Sequence, residues 1–484
     1  MTFNLNRYVI SEMTAPLRSR LRRKPGHPEA VVAALLTSCL LFSCAPANAQ
    51  NSPDLREILN RLDRLEKDNR SLTDEVRALR KELAELHEPH AAGAASDGQP
   101  AEDRAAVQQS RVEEIAQTKV ESSQKFPIRV TGMALFNAYV NGRHNNQSNN
   151  PTIASFIKGD ATGGATLRQS TLGFLFNGPL TVGGAKVSGS LYMDLFGGSS
   201  ASLNHLVRLR TAEIDLDWTN TSIMFGQAKP MISPRDPDSL AQVGVSPLTG
   251  AGNLWLWQPQ VRIEQRMKLG NNTGFRVQAG VFQTSFLSAI PDPNGYGPST
   301  DLPRMEYSRP GVEGRFELWR RWGESGRLEI AGGLHVNSNH VGSFSLPTDV
   351  YSVDWFYRPV SKIEFSGMFF HGRNVATLGA LRQGFTALRN GNLIPVRSNG
   401  GWAQMRVPIT SRLVLNLYGG QQDDRNSDLI YGNISKNQAY FGNVMYRLAP
   451  NVIVSLEGGQ VRTTYMQIGN RLNDHYDLAI AYLF

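Results

Sequence analysis

The stretch Gln260-Val261-Arg262-Ile263-Glu264-Gln265-Arg266-Met267 alternates apolar and polar residues with a period of two. A β-strand turns successive side chains to opposite faces, so Arg262, Glu264 and Arg266 share one face and apolar residues occupy the other. Because an Arg against lipid near the bilayer midplane costs about 2–4 kcal/mol, the charged face must point into a closed barrel. The stretch predicts one strand of a transmembrane β-barrel.

The same alternation recurs over residues 126–484 and predicts about sixteen antiparallel strands. We place them near 127–141, 166–176, 185–196, 206–218, 222–228, 259–268, 274–283, 304–318, 326–337, 349–358, 362–371, 400–407, 412–421, 437–447, 451–461 and 473–484. The connections alternate between long and short, as they do in barrels with long external loops and short periplasmic turns. The predicted fold class is an all-β transmembrane barrel that follows an N-terminal α-helical coiled coil.

Residues 1–49 are typical of a secretory signal peptide. A basic segment precedes the uncharged run from Val31 to Phe42, which is too short to span a bilayer. Ala47-Asn48-Ala49 then forms a small-x-small cleavage site, although lipoprotein processing at Cys39 or Cys44 is an alternative. These are the two cysteines of the chain, so cleavage at Ala49 would leave no disulfide or thiolate metal site.

Residues 50–88 show five heptads, which predict a periplasmic coiled coil. Asn69 at an a position specifies register and favours a dimer, whereas Arg61-Leu62-Asp63-Arg64-Leu65-Glu66 is typical of short trimeric coils. We expect a homotrimer and keep the dimer as an alternative. Residues 89–125 read as a flexible linker. The predicted oligomerisation residues are Leu55, Ile58, Leu62, Leu65, Asn69, Leu72, Val76, Leu79, Leu83 and Leu86.

The formal net charge of +8 is concentrated in the predicted barrel, where residues 126–484 hold 32 basic and 24 acidic side chains. A basic barrel would favour anions. Alternatively, some of these Arg residues sit in external loops or contact lipopolysaccharide phosphates.

The alternation also predicts which charged side chains line the lumen. The third external connection, residues 229–258, is stiffened by four prolines and carries charges of both signs. We expect it to narrow the barrel and set a field across it. The candidates for the pore lining and its constriction are Arg129, Asp194, Arg235, Asp236, Asp238, Arg262, Glu264, Arg266, Arg276, Arg309, Glu313, Arg315 and Arg406. The sequence does not decide whether Arg168, Arg208 and Arg210 point inward or outward, because they share their faces with apolar residues.

Three segments resemble the early strands of DcaP-like porins: Arg168–Phe174, Val187–Gly197 and Arg208–Glu213. The layout of the whole mature chain resembles that family and, more distantly, the phosphate-selective porins. The resemblance implies a trimeric sixteen-stranded channel with a periplasmic coiled coil that takes up small, often anionic, organic solutes. The terminal Tyr476, Leu478, Ile480, Tyr482 and Phe484 are similar to the signal by which the barrel-assembly machinery recognises its clients.

The sequence therefore predicts an outer-membrane porin of a Gram-negative bacterium for passive diffusion of small hydrophilic solutes. A non-conducting structural barrel with a periplasmic stalk is the alternative. An enzyme is not expected, because the histidines are scattered and no nucleophile is spaced to meet one. No cofactor, metal or nucleic acid is expected as a partner. A trimeric adhesin is disfavoured, because about 359 residues suffice for a whole barrel per chain.

Overall fold

The computed structural model describes residues 128–198, 205–283, 285–286, 304–305, 310–341, 344–381, 383–388 and 391–484. The signal peptide, the coiled coil with its ten oligomerisation residues, the linker and Arg309 lie outside these residues. Predictions about them remain predictions.

Sixteen antiparallel strands form one closed barrel. Each strand pairs with its neighbours in sequence, and the first strand also pairs with the last, from Met133 opposite Leu483 to Asn141 opposite His475. Closure gives every strand a partner on both edges, which is what a sheet surrounded by lipid requires. The strands are β1 Ile128–Asn141, β2 Thr171–Val182, β3 Ala185–Gly197, β4 Leu206–Asp217, β5 Thr221–Ala228, β6 Gln258–Lys268, β7 Thr273–Phe282, β8 Gly311–Trp322, β9 Gly326–Val341, β10 Phe344–Val360, β11 Ile363–Arg373, β12 Arg397–Pro408, β13 Leu413–Asp424, β14 Ile434–Ala449, β15 Val452–Tyr465 and β16 Gly469–Leu483.

Short elements outside this ring belong to the connections. Thr162–Thr166 pairs with the upper half of β1, Ser285–Phe286 pairs with Arg304–Met305, and Phe385–Ala387 pairs with Leu393–Pro395. Two 3₁₀ turns occupy Val375–Leu378 and Asn426–Asp428. Within the described residues, no helix is long and apolar enough to cross a membrane.

The barrel prediction is confirmed, but several strand ends were wrong. The strand predicted at 304–318 runs over Gly311–Trp322, because Arg304–Met305 belongs to a separate hairpin and Trp319 to Trp322 continue the barrel ladder. The connections predicted at 338–348 and 462–472 are largely strand, because β9 pairs with β10 up to Val341 and Phe344, and β15 pairs with β16 up to Tyr465 and Gly469.

The two faces of the sheet differ sharply in polarity. In β16, Asn473, His475 and Asp477 are buried inside the barrel, while Tyr476 and Ile480 point outward and are exposed. The same alternation holds along β6, where Val261 and Ile263 face outward. A barrel with an apolar outer band and a polar interior fits a bilayer around it.

A β-bulge in β4 explains why the sequence did not decide whether Arg210 points inward or outward. Tyr192 pairs with Thr211 and Met193 pairs with Leu209, so Arg210 is an extra residue in the ladder. A bulge shifts the alternation by one position. Arg208 and Arg210 point inward before it, and Glu213 points inward after it.

The outer band predicts a large penalty for a charge at its middle. Val353 lies midway along β10 and faces outward. We expect V353R to lower the free energy of unfolding by about 2–4 kcal/mol in lipid vesicles, because the guanidinium must leave water. Urea titration followed by tryptophan fluorescence measures the change, with V353L as the control. Equal stability of V353R and V353L would contradict the assignment of this face to lipid.

Candidate functional site

The connection between β5 and β6, residues 229–257, folds into the barrel and is called the inner loop below. Its first anchor lies on β8 to β10. The backbone N–H of Met231 donates to Glu313 Oε2 at 2.6 Å, and Ser352 Oγ donates to the carbonyl of Ile232 at 3.1 Å. Glu313 is also held by His335 Nδ1 at 2.9 Å. The loop therefore crosses from β5 to the far side of β8 within a few residues.

Arg235 forms the second anchor. Its guanidinium pairs with Asp354 on β10 at 2.7 Å and with Glu329 on β9. Asp354 is shared with Arg315, whose Nε lies 2.8 Å from Asp354 Oδ2. These side chains are largely buried, so their charges are compensated by hydrogen-bonded partners rather than by water.

Asp238 attaches the loop to β12. Gln404 Nε2 donates to its carboxylate at 2.8 Å, and the Asp238 backbone N–H donates back to Gln404 Oε1 at 2.6 Å. Arg406 Nε lies 3.5 Å from the same carboxylate. Asn443 Nδ2 on β14 donates to the Asp238 carbonyl at 2.8 Å.

The loop then reaches the strands at the seam of the barrel. Ser239 Oγ donates to Glu457 on β15 at 2.7 Å, and Asn137 on β1 donates to the carbonyl of Leu240 at 2.9 Å. The N–H groups of Val243 and Gly244 both donate to Gln169 Oε1, at 2.7 and 2.8 Å.

Two arginines of β4 form the last of these anchors for the inner loop. Arg208 Nη2 donates to the Gly244 carbonyl at 2.5 Å, and Arg210 Nη1 donates to that of Val243 at 2.8 Å. Both are held by the buried carboxylate of Asp194, which Arg208 contacts at 2.7 Å. Trp257 lies under both guanidinium groups.

The returning half of the loop packs against the opposite wall. Leu254 and Ile232 join Phe370 and Leu378 in a buried apolar cluster. Gly252 has φ +101°, and an added Cβ would collide with the Gly401 carbonyl and lie 2.6 Å from that of Gln421. The loop thus fills the β11–β14 side of the lumen and leaves space on the other side.

That space is a cavity of about 690 Å³ between the inner loop and the inward face of β4–β8. Six basic and four acidic side chains line it, an excess of two positive charges. They are Arg210, Lys229, Arg235, Arg262, Arg276 and Arg315, with Glu213, Asp236, Glu264 and Glu317.

Arg262 differs from the other five cations. Each of those forms a salt bridge, for example Lys229 to Asp236 at 2.6 Å and Arg276 to Glu317 at 3.5 Å. Within the described residues, Arg262 forms neither a salt bridge nor a hydrogen bond. Met224 on β5 lies between it and Asp215 across the ladder. Its guanidinium is therefore available to an anion in the cavity.

Lys229 and Asp236 face each other across the base of the inner loop. Burial lowers the pKa of the Lys229 ammonium, although Asp236 opposes that shift. Burial would raise the pKa of Asp236, but the Lys229 charge and hydrogen bonds from Asn253, Lys229 and Ser246 together lower it. Because the pKa of Asp236 is lowered, its carboxylate stays charged to a lower pH than usual, and the pair resists acid. Because the pKa of Lys229 is also lowered, its ammonium loses its proton at a lower pH than usual, and alkali breaks the pair.

Of the thirteen candidate residues, six line the cavity: Arg235, Asp236, Arg262, Glu264, Arg276 and Arg315. The structure does not bring the others there. Asp194 is buried under Arg208, Glu313 holds Met231, and Asp238 and Arg406 meet on the opposite wall. Arg266 pairs with Asp217 near the turns, and Arg129 lies exposed at the start of β1. Arg309 is outside the described residues.

Sequence reasoning left Arg210 ambiguous and missed Glu213; Lys229 was expected only as a charge of the connection 229–258. The bulge in β4 hides the first two from a strict period of two. Lys229 is the first residue after β5, so only the inward fold of the loop brings it to the cavity. Within the described residues, no group of three or more His, Cys, Asp or Glu side chains is placed to hold a metal ion.

The architecture was compared with known proteins. No family model matches the chain, and no curated protein does. Among solved structures, the outer membrane channel DcaP of Acinetobacter baumannii superimposes with a TM-score of 0.59 at 17% identity, over 74% of this chain and 97% of that chain. The fold is that of DcaP. An anion-selective porin from Comamonas acidovorans gives a TM-score of 0.47 at 13% identity, over 74% and 99% of the two chains.

The close approach at Gly252 predicts a sensitive point in the inner loop. We expect G252A to strain the loop by about 1–3 kcal/mol and release it from β12 and β13, because the backbone cannot keep its φ and its contacts together. Limited proteolysis of the folded barrel should then cleave within residues 229–257. G270A is the control, since nothing lies within 4 Å of an added Cβ there. Equal protease resistance of both variants would show that the contact is not needed.

Proposed function

We propose that the protein is an outer-membrane porin through which small hydrophilic, anionic solutes diffuse passively. The observation that carries the proposal is the charged cavity beside the inner loop, in which Arg262 forms no salt bridge among the described residues. An interior built only for stability would pair its cations, because an unpaired charge in a narrow space is costly. The DcaP fold supports the proposal by providing a closed barrel of the same architecture.

The inner loop supports a selective passage rather than a wide pore. Its anchors on β8–β16 and β1 confine the open space to one side of the lumen. There the cations of β4, β6 and β7 face the acidic Asp236 on the loop and Glu264 on the wall. Charges of both signs across a narrow passage orient polar solutes, and the guanidinium of Arg262, which forms no salt bridge, favours anions.

We place the barrel in the outer membrane of a Gram-negative bacterium, with its turns and both chain ends towards the periplasm. Three predicted sequence features support this placement: the signal peptide, the coiled coil, and the terminal Phe484 as a recognition signal for the barrel-assembly machinery. At the loop end, the outward faces of β10–β16 carry polar residues above the apolar band, suited to contact lipopolysaccharide. These include Asp349, His371, Arg373, Arg397, Asp423, Lys436, Arg462 and Asp474.

Single-channel recording in planar bilayers tests the proposal. Purified protein should give discrete conductance steps and a reversal potential that reports anion preference under a salt gradient. Insertion without conductance, shown by protein recovered from the same membranes, would contradict the channel and favour a structural barrel with a stalk.

Arg262 predicts a change in selectivity. A unit charge attracts an anion and repels a cation about 4 Å away by about 1 kcal/mol each in water-like surroundings, so R262Q should lower the anion-to-cation permeability ratio by up to roughly thirtyfold. R462Q removes the same charge from the outward face of β15 and should leave the ratio unchanged. Reversal potentials for the two variants give both ratios. An unchanged permeability ratio in R262Q would show that Arg262 does not act on permeating ions.

We also propose that three copies of the chain associate through the β1–β4 side of the barrel. Among the described strand residues, the loop end of β1–β4 is less polar than the collar of β10–β16. Instead Val140, Leu167, Leu206 and Val207 are exposed near the loop end, Val207 to 63%. Exposed apolar residues in that position fit burial by a second copy. The predicted trimeric coiled coil points to the same assembly.

The assembly predicts that V207R will dissociate the trimer without unfolding the barrel, because a guanidinium would be buried between copies. L472R, an exposed apolar position within the collar, should keep the trimer. Unheated gel electrophoresis and light scattering in detergent give the oligomeric state. If V207R remains as oligomeric as L472R, this face is not the interface.

A further inference from the structure

Glu457 and Asp477 form a pair of buried carboxylates beneath the inner loop. They lie directly opposite each other in the β15–β16 ladder, and both point inward with 5% of their surface exposed. Directly opposed side chains in an antiparallel ladder have Cβ atoms about 5 Å apart. Within the part of the chain that the structure describes, neither carboxylate forms a salt bridge.

Hydrogen-bond donors converge on this pair from both sides. On one side, Asn416 donates to Asn443 at 2.8 Å, and Asn443 donates to Glu457 at 2.9 Å. On the other, Gln169 donates to Asn137 at 3.1 Å, and Asn137 donates to Asp477 at 2.9 Å. The amides thus supply hydrogen bonds to the pair but no charge to neutralise it.

The two carboxylates accept different numbers of hydrogen bonds. Glu457 accepts hydrogen bonds from Ser239, Tyr418 and Asn443, at 2.7, 2.8 and 2.9 Å. Asp477 accepts one, from Asn137. Hydrogen bonds to a carboxylate favour its charged form, and a second carboxylate nearby then favours its own neutral form. Two adjacent carboxylates titrate as one coupled system.

We propose that Glu457 and Asp477 share one proton at neutral pH, carried on Asp477, and that this protonated pair positions the inner loop. The inference rests on the proposed function for its effect on transport. Glu457 holds Ser239, and Asn137, which donates to Asp477, also holds the Leu240 carbonyl. When alkali moves the shared proton to water, the two charges repel across the ladder, and the Ser239–Leu240 anchor loosens.

The remaining titratable groups around the pair do not provide a neutralising charge. Tyr418 on β13 and Tyr139 on β1 are neutral donors. His475 points inward two residues before Asp477 and contacts Asn141 Oδ1 at 2.6 Å. The nearest arginine on the loop side, Arg406, is engaged by Asp238 and by Glu364. Glu457 and Asp477 are therefore positioning residues whose charge state is set by their burial and by each other.

Infrared spectroscopy of the folded barrel tests the shared proton independently of transport. The carbonyl stretch of one protonated carboxylic acid should be present at neutral pH. It should disappear at a lower pH in E457Q than in the wild type, because the repulsion from Glu457 is gone while Asp477 stays buried, and it should be absent from D477N, which lacks the acid that carries the proton. D474N, on the outward face of the same strand, should keep the wild-type band. A band that survives in D477N, or a spectrum identical across all four proteins, overturns the proposal.

Channel recording tests the consequence for the loop. Wild-type conductance should change with a single-proton dependence as pH rises from about 6 to about 9, whereas E457Q and D477N should show no such change. A conducting wild type with a flat profile, or variants with the wild-type profile, contradicts the positioning role. If the wild type does not conduct, the proposed function fails. The infrared result still decides whether Glu457 and Asp477 share a proton.

Discussion

A closed sheet with an apolar outer band must turn the charged and amide side chains at the level of that band inward, and those groups must find partners there. Neighbouring strands supply some of them, as where His335 bonds to Glu313 and Asn337, and Glu313 uses its second oxygen for the loop. The inner loop meets this demand. Its backbone groups at Met231, Ile232 and Leu240 bond to inward side chains of three different strands.

The position of the cavity follows from where those bonds form. The loop is anchored to almost every strand from β8 through the seam to β4, and its apolar residues pack on β11. The wall of β4–β8 supplies most of the charged lining of the remaining space, through Arg210, Arg262, Arg276 and their acidic partners. The selectivity that we propose is thus a consequence of asymmetric loop attachment rather than of a uniformly basic barrel.

The sequence predicted the barrel, its strand count and most strand positions, because a period of two combined with inward charge has few structural solutions. It placed Arg262, Glu264 and Arg315 on the inner face for the same reason. It could not separate cavity residues from structural ones, since Glu313 and Asp194 obey the same alternation and differ only in their partners on other strands. The bulge at Arg210 was invisible because it inserts one residue without any distinctive residue type.

The carboxylate pair shows the same limit more clearly. Glu457 and Asp477 are 20 positions apart and become neighbours only through the register of β15 and β16. No local pattern marks either residue as special. Their partners, Ser239, Asn137 and Tyr418, come from three further parts of the chain.

The most direct test of this account is the conductance of a chain in which residues 232–254 are replaced by a short Gly-Ser linker, measured beside the intact protein. If the inner loop confines solutes to the β4–β8 wall, its removal should raise single-channel conductance severalfold and weaken anion selectivity, since the widened lumen dilutes the local charge. If the shortened chain folds and conducts with the original conductance and selectivity, the inner loop does not define the passage.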